Sequence, residues 1–558
     1  MKILLIQPPV RDFYQTPIRT QPIGLAYLAT SLKKDGHEVE ILDCQTEAKR
    51  SISIPPDLSY LRDLYPFEDR SPFKLYSGYY HFGMGWEDIR KKVEDSKADA
   101  FGISSSFTPY HGEALEIAQI IKKWDRRKII VMGGAHVSCD AENVVRNPSV
   151  DYAILGEGEI RFSLLLKQVE KGKVGRLEEI DGLGYRKDGQ IRITRPRNFI
   201  QDLDSLPSPA RELLDLDRYR MRKKRSTMII TSRGCPHQCA YCSAHLVMGS
   251  SFRARSPDAI LEEMIDCHQQ FGIEDFDIED DNFTFDQQRT KRLLSLIIQK
   301  FGEGKIGLSA MNGISFASLS DELLILMKKA GFHAINLSYV STAPSTKERM
   351  RRPKTSIEFE KILDEAEKVG LGVIAYAILG MPGQTIEEMV DTLIFLMGKK
   401  VLIGPSIYYP TPGTPLFERC KKDGVLPPHP IQWRSSAFPI ETNDFSRLDL
   451  LTLLRLSRVI NFVKGKMEER ELEEGMTWGD LFKRLKERRG AKDKVDELAA
   501  TWIDLLLLLD RERSFFSLGR EPGRMTFVEK EKSSKKVLDY FFEKAWSSPV
   551  LKTRPSIL

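Results

Sequence analysis

The chain of 558 residues lacks the features that would place it in a membrane or in an oxidising compartment. Its apolar runs, such as 505–509, are far shorter than the ~20 residues needed to span a bilayer. The N-terminal stretch has only four apolar residues in a row, too few for the core of a signal peptide. The seven cysteines form no even framework of the kind found in secreted disulfide scaffolds. We therefore expect a cytoplasmic protein without a transmembrane segment.

The charge balance gives no sign of a nucleic-acid partner. A formal net charge of +5 is a small bias over this length, and the basic cluster 222–225 is typical of solvated linker surface. With 41% hydrophobic residues, the chain is long enough for two to four domains with cores of their own. The sequence therefore predicts a multidomain globular protein.

Three of the seven cysteines lie close together, and they carry most of the functional information. Cys235, Cys239 and Cys242 occur in the segment RGCPHQCAYCSAH, directly after a short apolar stretch that predicts a strand. The other four are scattered singly along the chain: Cys44, Cys139, Cys267 and Cys420. Three thiolates can bind three irons of a cubane cluster and leave the fourth iron open to a ligand. Two alternatives stay open at this point, namely a zinc site completed by His237 or His245, and buried thiols without a metal.

Residues 1–160 alternate between predicted strands and amphipathic helices, which is the pattern of a doubly wound parallel sheet. A segment rich in proline and tyrosine, from about 46 to 84, interrupts the pattern and is predicted to be an inserted loop. Small and glycine-rich loops follow several strands, and ligands of such folds bind along that edge. The candidate binding residues in these loops are Ser104, Ser105, Ser106, Gly133, Gly134, His136, Gly156, Glu157, Gly158 and Glu159. For His136 the alternative is a histidine that holds its loop by hydrogen bonds.

Residues 226–430 carry six predicted strands, most of them separated by amphipathic helices, which indicates a partial (β/α)6 barrel. Helix starts are predicted at Ser256, Ser320 and Thr385, with Glu388 completing a capping box at the last. Residues 161–225 are predicted to be a connector with a hairpin around Asp188. Residues 431–558 are predicted to be mostly helical, and no chemistry is assigned to them. The predicted fold class is therefore α/β, with a Rossmann-like first domain, a partial barrel and a helical C-terminal region.

The spacing C-x3-C-x2-C, with Tyr241 before the last cysteine, resembles the radical S-adenosylmethionine (SAM) superfamily. The segments PIGLAYLA, GHEVEILD, GGAHVS and VDYAILGEGE resemble the cobalamin-binding domain that precedes the radical SAM barrel in a large family of cobalamin-dependent enzymes. This resemblance implies three cofactors: a 4Fe-4S cluster held by the three cysteines, SAM chelated by the open iron, and cobalamin on the sheet edge. No D-x-H-x-x-G motif occurs in the first domain, so the lower axial ligand of cobalt is unassigned.

The resemblance also implies that SAM binds at the carboxyl ends of the barrel strands. Tyr241 would help to seat adenine, while Asp280 and Asp281 would hold the amino group. Acidic residues at that point can also serve only the dipole of a following helix. The other implied contacts follow the third, fourth and fifth strands: Asn312, Ser338, Ser341, Gly380, Pro382 and Gly383. Many relatives carry Glu-Ser after the fourth strand where this chain has Val340 and Ser341, so one expected carboxylate is missing.

The implied reaction starts when one electron from the reduced cluster cleaves SAM and gives a 5′-deoxyadenosyl radical, which takes hydrogen from an unactivated carbon. Cobalamin would then deliver a methyl group to a small-molecule or lipid substrate. An electron donor of the flavodoxin or ferredoxin type would reduce the cluster. The alternatives are an oxidation, cyclisation or rearrangement with cobalamin as redox partner, and a non-catalytic metal-stabilised binding protein. A methylthiotransferase is disfavoured because only two single cysteines lie in the first domain.

Overall fold

The fold is given by a computed structural model that describes residues 1–14, 21–45, 49–65, 67–171, 174–352, 356–490, 501–521 and 524–553. The architecture is α/β, as predicted. A doubly wound sheet packs beside a partial barrel, and the C-terminal region packs on the barrel. No helix within the described ranges combines the length and the apolar character that a bilayer crossing requires.

The first sheet has seven strands. In spatial order they are Gln190–Ile193, Leu183–Lys187, Tyr152–Ile154, Ile129–Gly133, Ala100–Ser104, Lys2–Gln7 and Glu38–Asp43. The last five in this order are mutually parallel, and the first two form an antiparallel hairpin on the edge. Asp188 and Gly189 make the turn of that hairpin with positive φ values of 50° and 74°. The predicted hairpin is therefore present, and it extends the first sheet beyond residue 160.

Helices cover both faces of this sheet, and alternate residues of the strand Lys2–Gln7 point to opposite cores. Ile3 and Leu5 pack in one core with Leu25 of the first helix, whereas Leu4 and Ile6 pack in the other. The helices of the domain are Ile23–Lys34, Trp86–Ser96, His111–Trp124, Ala135–Cys139, Ala141–Arg146 and Gly158–Glu170. This arrangement brings the loops after the parallel strands to one edge of the sheet.

The segment predicted to be an inserted loop contains regular structure. A short antiparallel sheet joins Val10–Asp12, Tyr79–Phe82 and Arg50–Ile52, and a 3-10 helix spans Pro56–Asp63. Its aromatic residues Tyr65, Phe73 and Tyr76 lie in the same hydrophobic core as the barrel. The aromatic residues of this segment thus fix it against the second half of the protein.

Six parallel strands form the partial barrel, in chain order. They are Lys224–Ile229, Asp275–Ile278, Gly307–Ser309, Ala334–Val340, Gly372–Leu379 and Leu402–Ile407. Backbone bridges from Leu308 to Phe332 and from Ile314 to Leu337 join the third strand to the fourth. The outer edge of the first strand pairs at its start with the short strand Arg220–Met221, and further along this edge Thr227 Oγ1 and the Met228 N–H both donate to Gln21 Oε1 at 2.8 Å. The first domain therefore covers the open edge of the barrel.

The barrel is surrounded by helices whose starts follow the predicted caps in part. The helices are Pro257–Phe271, Gln287–Phe301, Asp321–Ala330, Pro344–Arg349, Ser356–Lys368, Ile386–Met397 and Pro415–Lys422, and a short turn of helix, Ala244–Val247, follows the cysteines. The side chains of Ser256 and Thr385 cap their helices, but that of Ser320 does not. The predicted capping box is incomplete, because the Glu388 carboxylate accepts from Ser341 and Thr346 and is used elsewhere.

The C-terminal region is mostly helical but also contains a hairpin. Its helices are Arg447–Glu468, Trp478–Gly490, Trp502–Glu512 and Lys535–Ala545, and its strands are Phe516–Glu521 and Arg524–Lys530. Arg455 of the long first helix is fully buried and pairs with Asp69 at 2.7 Å and with Glu531. The ion pair with Asp69 ties the region to the aromatic segment of the first domain, and Asn461 of the same helix bonds to the backbone of Ile403 in the sixth barrel strand.

Candidate active site at the domain junction

The site is a cavity of about 400 Å³ between the edge of the first sheet and the mouth of the barrel. Nine of the predicted binding residues line it: Ser104, Ser105, Ser106, Gly133, Gly134, Gly156, Glu157, Gly158 and Glu159. The opposite wall comes from the barrel half of the protein and consists of Met228, Ile230, Arg233, Val247, Met248 and Glu279. Loops from both domains therefore face one shared space.

Two neighbouring glycines on the sheet edge have different roles. A Cβ on Gly133 would meet only the Ile154 carbonyl oxygen, at 3.8 Å, so this position is open towards the cavity. Gly134 has φ = 116°, and a Cβ there would lie 2.7 Å from the Ser105 carbonyl oxygen. Gly134 is thus required by the turn, while Gly133 lets a flat ligand approach the backbone closely. Such a cradle fits a corrin ring.

His136 supports its loop and does not line the cavity. Its Nδ1 lies 3.1 Å from Thr108 Oγ1, and its ring lies 4.3 Å from the ring of His111. His111 in turn contacts Ser105 Oγ through Nδ1 at 2.9 Å. Burial lowers the pKa of His136 to about 3 and that of His111 to about 4, so both rings are neutral. The geometry favours the structural alternative for His136, since its ring lies under the serine loop.

Glu157 and Glu159 use their carboxylates for ion pairs between the two domains. Glu157 Oε1 accepts from Arg233 at 3.0 Å and from Arg253 at 2.7 Å, and its Oε2 accepts from the Ile200 N–H at 2.7 Å. Glu159 accepts from Arg233 at 2.6 Å. Arginines from a distant segment thus occupy carboxylate oxygens of both residues, which still line the cavity, and their contact with a cofactor stays a prediction. No local pattern in the sequence indicates these pairs, because the arginines lie 74 to 96 residues further along the chain.

The same arginines frame the cysteine loop. Ser232–Arg233 pairs with Arg253–Ala254 in a short antiparallel ladder on either side of the three cysteines. Gly234 has φ = 81°, and a Cβ there would lie 2.3 Å from the Ser251 carbonyl oxygen. The loop therefore begins with a turn that only glycine fits, and its first residues are ion-paired to the sheet edge.

All three cysteines are free thiols on this loop. Cys235 and Cys239 are buried, and Cys242 is partly buried. Burial raises the pKa of Cys235, and it raises that of Cys242 to about 11. Within the described part of the chain, no group of three or more His, Cys, Asp or Glu side chains is arranged around a single metal ion.

Each thiol has a nitrogen donor directed at its sulfur. Asn282 Nδ2 lies 3.8 Å from Cys235 Sγ, Arg352 Nη1 lies 3.8 Å from Cys239 Sγ, and the Ala244 N–H lies 3.5 Å from Cys242 Sγ. Donors of this kind stabilise the negative charge that thiolates and cluster sulfurs carry. The three residues present thus fit an iron-sulfur cluster, with an outer layer of donors that spacing alone did not reveal.

Asp280 holds the start of the cysteine loop in place by hydrogen bonds. It is buried and accepts four hydrogen bonds, from the N–H and hydroxyl groups of Thr231 and Ser232. Burial raises the pKa of Asp280, and these donors act against that shift. Its carboxylate thus holds the backbone and hydroxyl groups of the loop, and the expected contact of Asp280 with the SAM amino group stays a prediction. Asp281 is exposed and accepts only from the Gly234 N–H, at 3.1 Å, so it can still accept from a ligand.

Glu279 is the acidic residue that reaches the cavity from the barrel side. Its Oε2 accepts from Asn312 Nδ2 at 2.8 Å, and its carboxyl group is hydrogen-bonded to that of Asp277. Burial and the charge of Asp277 raise the pKa of Glu279 to about 7. Asn312, an expected SAM contact, is thus engaged by Glu279. Perturbed carboxyl groups in clefts are frequent at functional sites.

The remaining expected SAM contacts lie at the carboxyl ends of the later strands. Ser338 contacts the Tyr241 hydroxyl, next to the cysteines. Ser341 is fully buried and donates to Glu388 at 2.7 Å, so its hydroxyl is not open to a ligand. Val340 before it has φ = 73°, a strained conformation for a β-branched residue, at the point where many relatives carry glutamate.

The loop after the fifth strand is shaped by two glycines with positive φ. Gly380 has φ = 85° and faces Leu450 of the C-terminal region, since a Cβ there would lie 2.8 Å from a Leu450 methyl carbon. Gly383 has φ = 84° and is packed against Arg349 and Arg419, and Pro382 between them is buried. These residues shape the rim of the barrel, while Tyr241 and Asp281 lie nearest to the cysteines.

Comparisons with known proteins agree with this geometry. The family description "Radical SAM superfamily" matches residues 229–396, and "B12 binding domain" matches residues 77–166. An uncharacterised methyltransferase of Pyrococcus horikoshii is 28% identical over 84% of this chain and 94% of its own length. Cytidylyl-2-hydroxyethylphosphonate methyltransferase of Streptomyces wedmorensis is 25% identical over 78% of this chain and 84% of its own.

Solved structures share the fold. The radical S-adenosylmethionine methyltransferase TsrM from Kitasatospora setae, determined with cobalamin and a 4Fe-4S cluster bound, superposes with a TM-score of 0.57 at 19% identity. The match covers 78% of this chain and 81% of TsrM. The cobalamin-dependent radical enzyme OxsB gives a TM-score of 0.56 at 17% identity, over 85% of this chain and 62% of OxsB.

Fold and site thus define a radical SAM barrel joined to a B12-binding domain. The chain combines a radical SAM domain with a B12-binding domain, as cobalamin-dependent radical SAM enzymes do, and it is an enzyme. Its cofactors are a 4Fe-4S cluster, SAM and cobalamin, as the sequence predicts.

Proposed function

We propose that the protein transfers a methyl group to an unactivated carbon of a small molecule bound in the junction cavity. The observation that carries the proposal is that one cavity is lined by the sheet-edge loops of the B12-binding domain and by the barrel residues next to the cysteine loop. A substrate carbon held there can face both cofactors in turn. Apolar residues dominate the barrel wall, with Glu279 as its acidic group, which suits a largely uncharged substrate.

The relatives support carbon methylation and leave the substrate open. They include the hopanoid C-3 methylase of Methylococcus capsulatus and the bacteriochlorophyllide d C-12(1)-methyltransferase of Chlorobaculum tepidum, 23% and 28% identical over 47% and 35% of this chain. The substrates named are a lipid and a tetrapyrrole. We propose that this chain acts on a small molecule or lipid of comparable apolar character.

When bound, the cluster supplies the electron that cleaves SAM, and cobalamin supplies the methyl group. We propose that Cys235, Cys239 and Cys242 hold the cluster, with Tyr241 beside the adenine of SAM and Asp281 beside its amino group. Ser104, Ser106 and Gly133 would contact cobalamin. Asp280 positions the cysteine loop, and the ion pairs of Glu157 and Glu159 fix that loop against the sheet edge.

The proposal also covers the source of the electron and the cell compartment of the enzyme. A low-potential donor of the flavodoxin or ferredoxin type would reduce the cluster, because a reaction that starts with one-electron reduction needs such a carrier. A cluster of this kind also requires a reducing compartment, which supports a cytoplasmic location.

The second candidate function is a radical cyclisation or oxidation with cobalamin as redox partner. It is favoured by one relative, the anaerobic magnesium-protoporphyrin IX monomethyl ester cyclase of Synechocystis, which is 30% identical over 42% of this chain and 46% of its own length. The two functions differ in what they consume, because methylation uses the methyl group of SAM whereas cyclisation does not.

The test uses protein reconstituted anaerobically with iron, sulfide and hydroxocobalamin, supplied with methyl-deuterated SAM, a reductant and a metabolite extract. Methyl transfer predicts 5′-deoxyadenosine, S-adenosylhomocysteine and a product heavier by the labelled methyl group, all absent with Cys239→Ala. The matched control is Cys267→Ala, a buried cysteine on a helix remote from the loop. Formation of 5′-deoxyadenosine with a product that lacks the label would support the second candidate, and no SAM cleavage at all would refute both.

A further inference from the structure

Arg352 is a cation without a carboxylate partner beside the cysteine loop. It follows the helix Pro344–Arg349, and its guanidinium donates to Cys239 Sγ at 3.8 Å and to the Ser338 carbonyl oxygen at 3.4 Å. Among the described residues, no aspartate or glutamate lies within ion-pair distance of Arg352. Arg233, at the start of the loop, has Glu157 and Glu159 instead. The positive charge of Arg352 therefore faces sulfur.

The groups around Arg352 favour the charged form of its guanidinium. Burial opposes the charge of Arg352, but Tyr241, Cys239 and Cys235 outweigh it, and the pKa of the guanidinium is raised. Conversely, Arg352 acts to lower the pKa of Tyr241 and of His237. The guanidinium thus acts on Cys235 and Cys239 together.

A neutral second donor completes the pattern. Asn282 Nδ2 donates to Cys235 Sγ, while its Oδ1 is buried without a hydrogen-bond partner among the described residues. A reduced cluster carries one more negative charge than an oxidised one. A cation and hydrogen-bond donors at its sulfurs therefore stabilise the reduced form and raise the reduction potential.

We infer that Arg352 is a positioning residue that sets the reduction potential of the cluster through its charge at Cys239, with Asn282 as a weaker neutral partner. The inference rests on the proposed assignment of the three cysteines as cluster ligands. It deepens the proposed function, because the potential decides how much of the cluster is in the state that can cleave SAM.

The test is a redox titration followed by electron paramagnetic resonance on the full-length, reconstituted protein without SAM. Three substitutions separate charge from hydrogen bonding: Arg352→Lys keeps the charge, Arg352→Gln keeps a neutral donor, and Arg352→Met keeps neither. We expect Arg352→Met to lower the ratio of reduced to oxidised cluster about tenfold at the wild-type midpoint, which is a shift of about 59 mV for one electron. Arg352→Gln should fall between Met and wild type, and Arg352→Lys should remain near wild type.

Arg351→Met is the matched control. Arg351 is the exposed neighbour, and it donates to the backbone and side chain of Gln238, not to sulfur, so its loss should leave the midpoint unchanged. Iron content must be equal in all samples compared. An unchanged midpoint in Arg352→Met and Arg352→Gln would overturn the inference, as would equal shifts in Lys and Met or loss of the cluster from all three variants. Variants that keep the wild-type midpoint but lose affinity for labelled SAM in a separate equilibrium dialysis would assign Arg352 to SAM and overturn the inference.

A failure of this inference can be distinguished from a failure of the proposed function. A protein that cyclises its substrate, or for which no substrate is found, still gives a midpoint. If wild-type protein binds no 4Fe-4S cluster, the proposed function fails first.

Discussion

The two walls of the junction cavity use their charged residues in opposite ways. On the sheet edge, Glu157 and Glu159 are neutralised by Arg233 and Arg253, so the wall offers a ligand small side chains and backbone. On the barrel wall, Glu279 keeps a carboxyl group that reaches the cavity. The charge that a wall presents to a ligand therefore depends on which residues, distant in the sequence, form ion pairs with its carboxylates.

Removing the buried acid of the sheet edge should have the largest effect. Glu157→Ala leaves Arg233 and Arg253 buried without their shared acceptor, and breaking a buried pair in this way costs about 3–5 kcal/mol. We expect a lower melting temperature and a loss of bound iron, because the cysteine loop starts at Arg233. Thermal unfolding and iron analysis measure both effects.

Glu178→Ala is the control for that substitution. Glu178 pairs with Lys187 on the surface, where both side chains are largely exposed, and such pairs contribute little to stability because solvent screens them. If Glu157→Ala were as stable as Glu178→Ala, the two walls would not be joined through this carboxylate.

The next effect separates Asp280 from Asp281, two adjacent acids that follow the second barrel strand. Asp280→Ala removes the acceptor of four hydrogen bonds from Thr231 and Ser232, at a cost of about 2–4 kcal/mol, and should lower the iron content. Asp281→Ala should keep the iron and weaken SAM binding, since Asp281 is exposed and accepts one backbone hydrogen bond. Equilibrium dialysis with labelled SAM, together with iron analysis, distinguishes them. Equal iron loss in both variants would contradict the different roles.

These cases show which parts of the site follow from the sequence. The cysteine loop, the alternation of strands and helices, and the small residues on the sheet edge were predictable, because they depend on local spacing and on where strands end. The partners of Glu157, Asp280 and Arg352 were not, because they come from segments brought together only by the packing of domains. A charged residue next to a predicted site can therefore either bind the ligand or hold the loop in place. Which of the two it does depends on its partner, which is distant in the sequence.

Gly133 and Gly134 on the sheet edge differ in whether their backbone positions can accept a Cβ. Gly134→Ala should lower the free energy of unfolding by about 1–3 kcal/mol, because a left-handed φ and a 2.7 Å approach to Ser105 both resist a Cβ. Gly133→Ala should leave stability unchanged, since its Cβ meets only an oxygen at 3.8 Å, and should weaken retention of hydroxocobalamin about tenfold. Absorbance of corrinoid retained after desalting measures binding. Full retention by Gly133→Ala would exclude close contact of the cofactor with this backbone.

The smallest expected effect concerns the one acid of the cavity whose ionisation falls near neutrality. The pKa of Glu279 is raised from 4.5 to about 7, first by burial and then by the charge of Asp277; Asp280 adds to the shift and Asn312 opposes it. Between these two pH values the unfolded side chain is ionised while the folded one holds its proton, so Glu279 destabilises the fold increasingly as pH rises to about 7.

Glu279→Gln removes this ionisation and should therefore stabilise the protein by about 1–2 kcal/mol at pH 8 and by much less at pH 5. Melting temperatures at pH 5, 6.5 and 8 test the sign, and Glu262→Gln, at an exposed position of the helix Pro257–Phe271, should change stability equally at all three. A stabilisation that does not grow with pH would mean that Glu279 ionises normally. Functional sites keep groups that lower the stability of the fold because those groups act on the ligand. We therefore expect Glu279→Gln to lower turnover although it raises the stability of the protein.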